Sequence, residues 1–163
     1  TTSRVIGRYA ASFTTNSQGI TNSKNTFMSA DRKNVTVSYW LYPTRNSTSL
    51  LWAIQCGDFF VGLNGTQVTM TISTPSTNSA SATLTLNAWN HIVGTYNGTD
   101  IKIYKNGSLI QTKNHPGASS NSSQALVVAS GTSSNYWTGY LDDLRIYNIT
   151  LTDSQVLALY NFE

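Results

Sequence analysis

The chain has 163 residues, enough for one domain with a sizeable core and short for two. Charged residues make up only 10% of it, against about a quarter in an ordinary soluble domain, and Ser, Thr and Asn carry the polarity instead. The formal charge of +3 comes from scattered bases with no run longer than Arg32-Lys33, which argues against a nucleic-acid partner, and the lack of any stretch of about 18 apolar residues argues against membrane insertion.

In chain order, the first clear element is Val35-Thr36-Val37-Ser38-Tyr39-Trp40-Leu41, an alternating strand stopped by Pro43. The alternation puts Trp40 with core residues, and Trp89 is read in the same way. The apolar run Leu50-Leu51-Trp52-Ala53-Ile54-Gln55-Cys56 follows. Its lone Cys56 cannot form an intrachain disulfide and is read as a small buried hydrophobe. Asn64-Gly65, Asn97-Gly98 and Asn106-Gly107 are each flanked by alternating residues. The spacing predicts three hairpins with type I′ turns, the last two joining a meander over 91–96, 100–105 and 108–111. Leu84-Thr85-Leu86 reads as a short strand, and residues 74–81 and 117–123 read as loops.

Ala125-Leu126-Val127-Val128 and residues 140–147 supply further strands. Thr152-Asp153-Ser154-Gln155 fits a capping box, in which the Thr152 hydroxyl and the Gln155 amide cover each other's free backbone donors. A short helix follows, expected to plug an edge or end of the sheets. Strands at this spacing indicate an all-β sandwich or barrel.

Three segments carry a family resemblance. The first is Arg8-Tyr9-Ala10-Ala11-Ser12-Phe13 leading to the strand that ends Tyr39-Trp40-Leu41-Tyr42-Pro43. The second is Leu86-Asn87-Ala88-Trp89-Asn90-His91-Ile92-Val93 with Tyr96-Asn97-Gly98 and Tyr104-Lys105-Asn106-Gly107. The third is Gly139-Tyr140-Leu141-Asp142-Asp143-Leu144-Arg145-Ile146-Tyr147-Asn148 with Leu151-Thr152. Together they resemble the laminin-G-like domain of the concanavalin A-like lectin/glucanase type. The resemblance implies an antiparallel jelly-roll β-sandwich with one short C-terminal helix, spanning residues 1–163 as a single domain. The absence of Met and of a leader pattern at Thr1 leads us to expect a domain from a larger surface protein, extracellular on a secreted, cell-surface or virion-surface parent.

The resemblance also implies a structural calcium held by Asp142, backbone carbonyls and Asn16. The chain has Phe13-Thr14-Thr15-Asn16 where the family often carries an acidic turn. Read from the residues, Asp142 shares a strand face with Leu144 and Ile146, so its carboxylate needs either an ion or loop amides. Asp143 then points the other way with Arg145, into solvent.

Catalysis is not expected. The one Glu is the terminal Glu163, and the aspartates form no facing pair of the kind glycoside hydrolysis uses. His91 reads as a satisfied structural histidine and His115 as a loop residue. Binding candidates are aromatic. Trp137, with Tyr136 and Asn135, sits in a polar loop where it either offers a stacking face to a sugar or folds over the sandwich edge. Trp52 and Asp58 in the next turn are further candidates. The expected function is a non-catalytic carbohydrate-recognition or adhesion module. Its partner would be a carbohydrate or surface glycoprotein, with homo-oligomer formation through the parent protein as a further expectation. A structural or protein-interaction domain is the alternative.

Overall fold

The computed structural model describes residues 10–13, 20–22, 34–45, 47–56, 59–73, 77–117, 126–128 and 138–162. The strands are β1 (Ala11–Phe13), β2 (Ile20–Asn22), β3 (Val35–Pro43), β4 (Ser47–Cys56), β5 (Phe59–Gly65), β6 (Gln67–Ile72), β7 (Asn78–Thr83), β8 (Asn90–Tyr96), β9 (Asp100–Lys105), β10 (Ser108–Asn114), β11 (Leu126–Val128) and β12 (Gly139–Tyr147). One helix, α1 (Asp153–Phe162), follows. They form two antiparallel sheets, in the order β1-β12-β3-β8-β9-β10 and β2-β11-β4-β5-β6-β7.

Period-two alternation builds the core between the sheets. Val35, Val37, Tyr39 and Leu41 of β3 and Ile101 and Ile103 of β9 meet Val61 and Leu63 of β5 and Val68, Met70 and Ile72 of β6. Gly94 faces Met70 of the opposite sheet so closely that a Cβ there would run into the Met70 sulfur. Gly94→Ala is therefore expected to destabilise the fold by about 1–3 kcal/mol through overpacking. Met70→Val should recover part of the loss in a double-mutant cycle read by urea unfolding, and additive effects would contradict this contact.

The three hairpins form, but one alone has Asn-Gly at its centre with both residues at positive φ, Asn106 (51°) and Gly107 (77°). In the other two, Asn64 pairs with Gln67, and the Asn97 amide donates to the Asp100 carbonyl at 3.3 Å. The central residues are thus Gly65-Thr66 and Gly98-Thr99, with glycine alone at positive φ. Asn97 spends its side chain accepting from the Thr99 and Asp100 amides at 2.9 and 2.7 Å, an Asx turn that displaces it from the centre.

Two segment readings change. Residues 78–83 are strand β7 rather than loop, and 84–86 are not strand. The small polar residues of β7 are tied sideways to the opposite sheet: the Ser81 amide donates to Gln111 Oε1 at 2.7 Å, and Asn78 Nδ2 to the Asn114 carbonyl at 2.9 Å. Such bonds cover two edges that would otherwise be open for pairing.

The helix does not plug an edge or end. It lies on the outer face of the first sheet, where Tyr160 stacks on Trp40 and His91 with ring centroids 5.9 Å away in both cases. Below it Val93, Tyr104, Leu151 and Val156 form a second buried cluster. Trp40 is buried as expected, but under this helix rather than between the sheets. The capping box forms: the Gln155 amide donates to Thr152 Oγ1 at 3.3 Å and the Thr152 amide to Gln155 Oε1 at 2.9 Å.

Candidate aromatic binding face

The outer face of the first sheet takes the residues that alternate against the core: Ser38, Trp40 and Tyr42 on β3, and His91 and Val93 on β8. Register then places aromatic side chains side by side at one end of it. Tyr42 pairs with Tyr140 of β12, and Leu41 pairs with Asn90 of β8, which brings Trp89 beside Tyr42 from the other side. The rings meet edge to face, with centroids 5.5 Å apart for Tyr42 and Trp89 and 5.7 Å for Tyr42 and Tyr140. This is the favoured geometry for aromatic pairs. Tyr140 is 40% exposed, and Tyr42 and Trp89 are half-buried, so the row is anchored below and open above.

Asn90 fixes the Trp89 end. Fully buried, it donates from Nδ2 to the Thr85 and Ala88 carbonyls at 2.9 and 2.8 Å, and its Oδ1 accepts the Thr85 amide at 2.9 Å. The Asn87 amide donates to the Pro43 carbonyl at 2.9 Å, which brings an exposed asparagine, at φ 53°, to the rim of the row. Thr44 and Thr138 form the neighbouring rim, with Thr44 Oγ1 donating to the Thr138 carbonyl at 3.1 Å. Aromatic rings flanked by hydroxyl and amide side chains offer stacking faces beside hydrogen-bonding groups.

The face expected for Asp142 is overturned. A register shift between Asp142 and Arg145, with Asp143 at φ 46°, inserts a bulge into β12. Leu144 and Ile146 do pack on the core, but Asp142 pairs with Trp40 and so belongs to the outer face. Its Oδ1 accepts the Asp143 amide at 2.8 Å. Asp143 is not solvated either: Arg145 Nε donates to its Oδ1 at 2.8 Å and Nη2 lies 2.7 Å from Oδ2. Among the described residues, no three His, Cys, Asp or Glu side chains converge on a metal position.

His91, expected as a satisfied structural histidine, is held at one ring nitrogen. It is fully buried, with Nε2 2.9 Å from Ser38 Oγ and its ring 5.0 Å from Trp40. Burial lowers its pKa to about 4; nearby Asp143 opposes this and Arg145 adds to it. His115 follows β10 as expected but is buried, its ring 5.8 Å from Tyr96. Asn16, Asp58, Asn135, Tyr136 and Trp137 lie outside the described residues, as does the side chain of Cys56; of Trp52 the backbone alone is described, paired with Gly62. Trp89, expected in the core, is instead half-buried on this outer face, because it lies opposite the outward-facing Tyr42; sequence reading missed Tyr42 and Tyr140 because they fall inside segments that identify the fold. The available signal was an aromatic at each strand end in outward parity.

A family model described as the concanavalin A-like lectin/glucanases superfamily matches residues 13–157. The chain belongs to this superfamily. No curated protein matches it. Solved structures similar to this superfamily member include the binding domain of Paraclostridial Mosquitocidal Protein 1, at 20% identity and TM-score 0.76, covering 91% of this chain and 42% of that one. The ligand binding domain of Botulinum neurotoxin serotype D in complex with N-acetylneuraminic acid is 17% identical with TM-score 0.77, over 91% and 41%. The binding domain of Botulinum neurotoxin DC in complex with rat synaptotagmin II is 16% identical with TM-score 0.74, over 88% and 40%. The chain thus spans about two-fifths of the length of each, and at these identities the likeness is one of fold.

Proposed function

We propose that this chain is a non-catalytic carbohydrate-recognising module of a larger extracellular protein, secreted or carried on a cell or virion surface, with the Tyr140–Tyr42–Trp89 row as its sugar platform. The observation that carries the reading is the row itself: three rings packed in register, open to solvent and rimmed by Asn87, Thr44 and Thr138. C–H faces of a sugar ring stack on such rings while the rim exchanges hydrogen bonds, giving weak affinity per site that multivalency strengthens. Asn135, Tyr136 and Trp137, which directly precede Thr138 in sequence, are kept as further proposed sugar-binding residues. Similar folds in complex with N-acetylneuraminic acid support a sugar as ligand.

The non-catalytic part is supported by the state of three of the described titratable groups. His91 is buried against Trp40 and Tyr160, Asp143 is committed to Arg145, and Asp153 to Tyr104 and Lys102. A protein-interaction module is the second reading. It is favoured by the exposed Leu109, Ile110, Leu157 and Phe162 and by a similar fold in complex with synaptotagmin II.

A glycan array probed with the multivalent chain should show binding that Trp89→Ala reduces at least about ten-fold, the loss of one stacked ring. No glycan retained, together with a stable oligomer in light scattering, would favour the second reading instead. The calcium expected at Asp142 and Asn16 is carried as a separate proposal. Chelation should then lower the melting temperature and calcium restore it, and an unchanged melt would remove the ion.

A further inference from the structure

The outer face carries a second concavity, away from the aromatic row and near the start of α1. It is an open groove of about 550 Å³ between the β8–β9 turn and the segment joining β12 to α1. That size lies within the usual range of small-molecule sites. Thr95, Asp100 and Lys102 line one wall, and Thr150, Asp153 and Ser154 the other, with Leu151 between them.

The walls are tied to each other. Thr36 Oγ1 donates to the Ile149 carbonyl at 2.8 Å and accepts the Leu151 amide at 3.0 Å, and Thr150 Oγ1 donates to the Tyr96 carbonyl at 2.7 Å. Asp153 Oδ1 accepts from Tyr104 Oη at 2.7 Å and from Lys102 Nζ at 3.1 Å. These bonds hold its carboxyl below its ordinary pKa, so it stays ionised. The groove is therefore built before any ligand arrives, and little ordering remains to oppose binding.

We propose that this groove is a second ligand site, which takes one neutral sugar residue. Asp100 uses Oδ1 on Asn114 Nδ2 at 3.2 Å, and among the described residues its Oδ2 has no partner. Lys102 has further N–H donors beyond the one aimed at Asp153. A carboxylate and an ammonium side by side, with hydroxyls around them, accept from and donate to the adjacent hydroxyls of a sugar by charge-assisted bonds. The small apolar floor at Leu151 suits a C–H face. Two carboxylates against one ammonium leave the groove net negative, which selects against acidic sugars. The sugar class rests on the carbohydrate reading above; the site itself does not involve the row.

The test is a ¹H–¹⁵N titration of the chain with glucose, galactose, mannose and N-acetylglucosamine, each to about 50 mM, a range suited to millimolar affinity. N-acetylneuraminic acid and calcium chloride are run as separate arms. At least one neutral sugar should give saturable shifts at the amides of 95–102 and 150–154. Asp100→Asn, which keeps an oxygen for Asn114, should weaken this about five- to ten-fold, as should Lys102→Met. N-acetylneuraminic acid should leave these amides unmoved. Silence from every neutral sugar, stronger shifts with the acidic sugar, shifts with calcium alone, or unchanged affinity in both variants would each overturn the proposal. Shifts at Tyr42, Trp89 and Tyr140 are read in the same spectra. Movement there with a silent groove overturns the groove and leaves the proposed function standing.

Discussion

Trp40→Ala is expected to destabilise the chain by about 3–5 kcal/mol, the range for removing a buried aromatic. For a domain of this size that is a fall in melting temperature of roughly 6–20 °C. Trp40 is 4% exposed, and its indole is the floor on which both His91 and Tyr160 stack. Its removal leaves a cavity and takes away the main aromatic contact holding α1 to the sheet. Tyr160 and Leu157 also press on Gly107, where a Cβ would meet Leu157 Cδ1 at 2.9 Å, so the helix has little freedom to settle into the space. Trp40→Phe should cost much less. Unfolding in urea read by circular dichroism measures both variants. A loss below about 1 kcal/mol for the alanine variant would mean that the helix does not rest on this ring.

Acidification is expected to be nearly as costly. Burial lowers the His91 pKa from 6.5 to about 4. The unfolded chain therefore takes up a proton that the folded chain refuses throughout that window. Stability is fully present above about pH 6.5 and falls as the pH drops through the window, levelling below about pH 4 after a loss of roughly 3 kcal/mol. The charged groups facing His91 are Asp143 and Arg145; Asp143 raises its pKa, Arg145 lowers it, and neither outweighs desolvation. Melting temperatures across pH 4–7 should show this slope in the native chain and a shallower one in His91→Gln. Equal slopes would place the acid sensitivity elsewhere. Trp40→Ala, by admitting water to the imidazole, should flatten the slope as well.

How much of this was legible follows from what each signal encodes. Alternation in 35–41 and the Asn-Gly pairs gave strands and hairpins because those patterns are local. Which residue of each pair sits at the turn centre depends on a further local choice, the Asn97 side chain accepting from the Thr99 and Asp100 amides, and an Asn-Gly pair alone does not say whether its Asn will make that bond. Parity counting along 140–147 failed at the bulge. A single residue at positive φ shifts every later side chain to the other face, and Asp143 carries no mark of it in sequence. Trp40 could be read as buried but not as buried beneath the helix, since alternation names a face without naming what covers it. The same limit hid the aromatic row. Tyr42, Trp89 and Tyr140 are far apart in sequence and meet only through the pairing of β12, β3 and β8.

The most direct test of the binding reading is a crystal structure of the chain grown with the best glycan from the array. The sugar ring should lie against Tyr42, Trp89 and Tyr140, with Asn87, Thr44 or Thr138 within hydrogen-bonding distance of its hydroxyls. A structure in which those rings are covered by another protein surface while the glycan is absent or bound away from this face would contradict it.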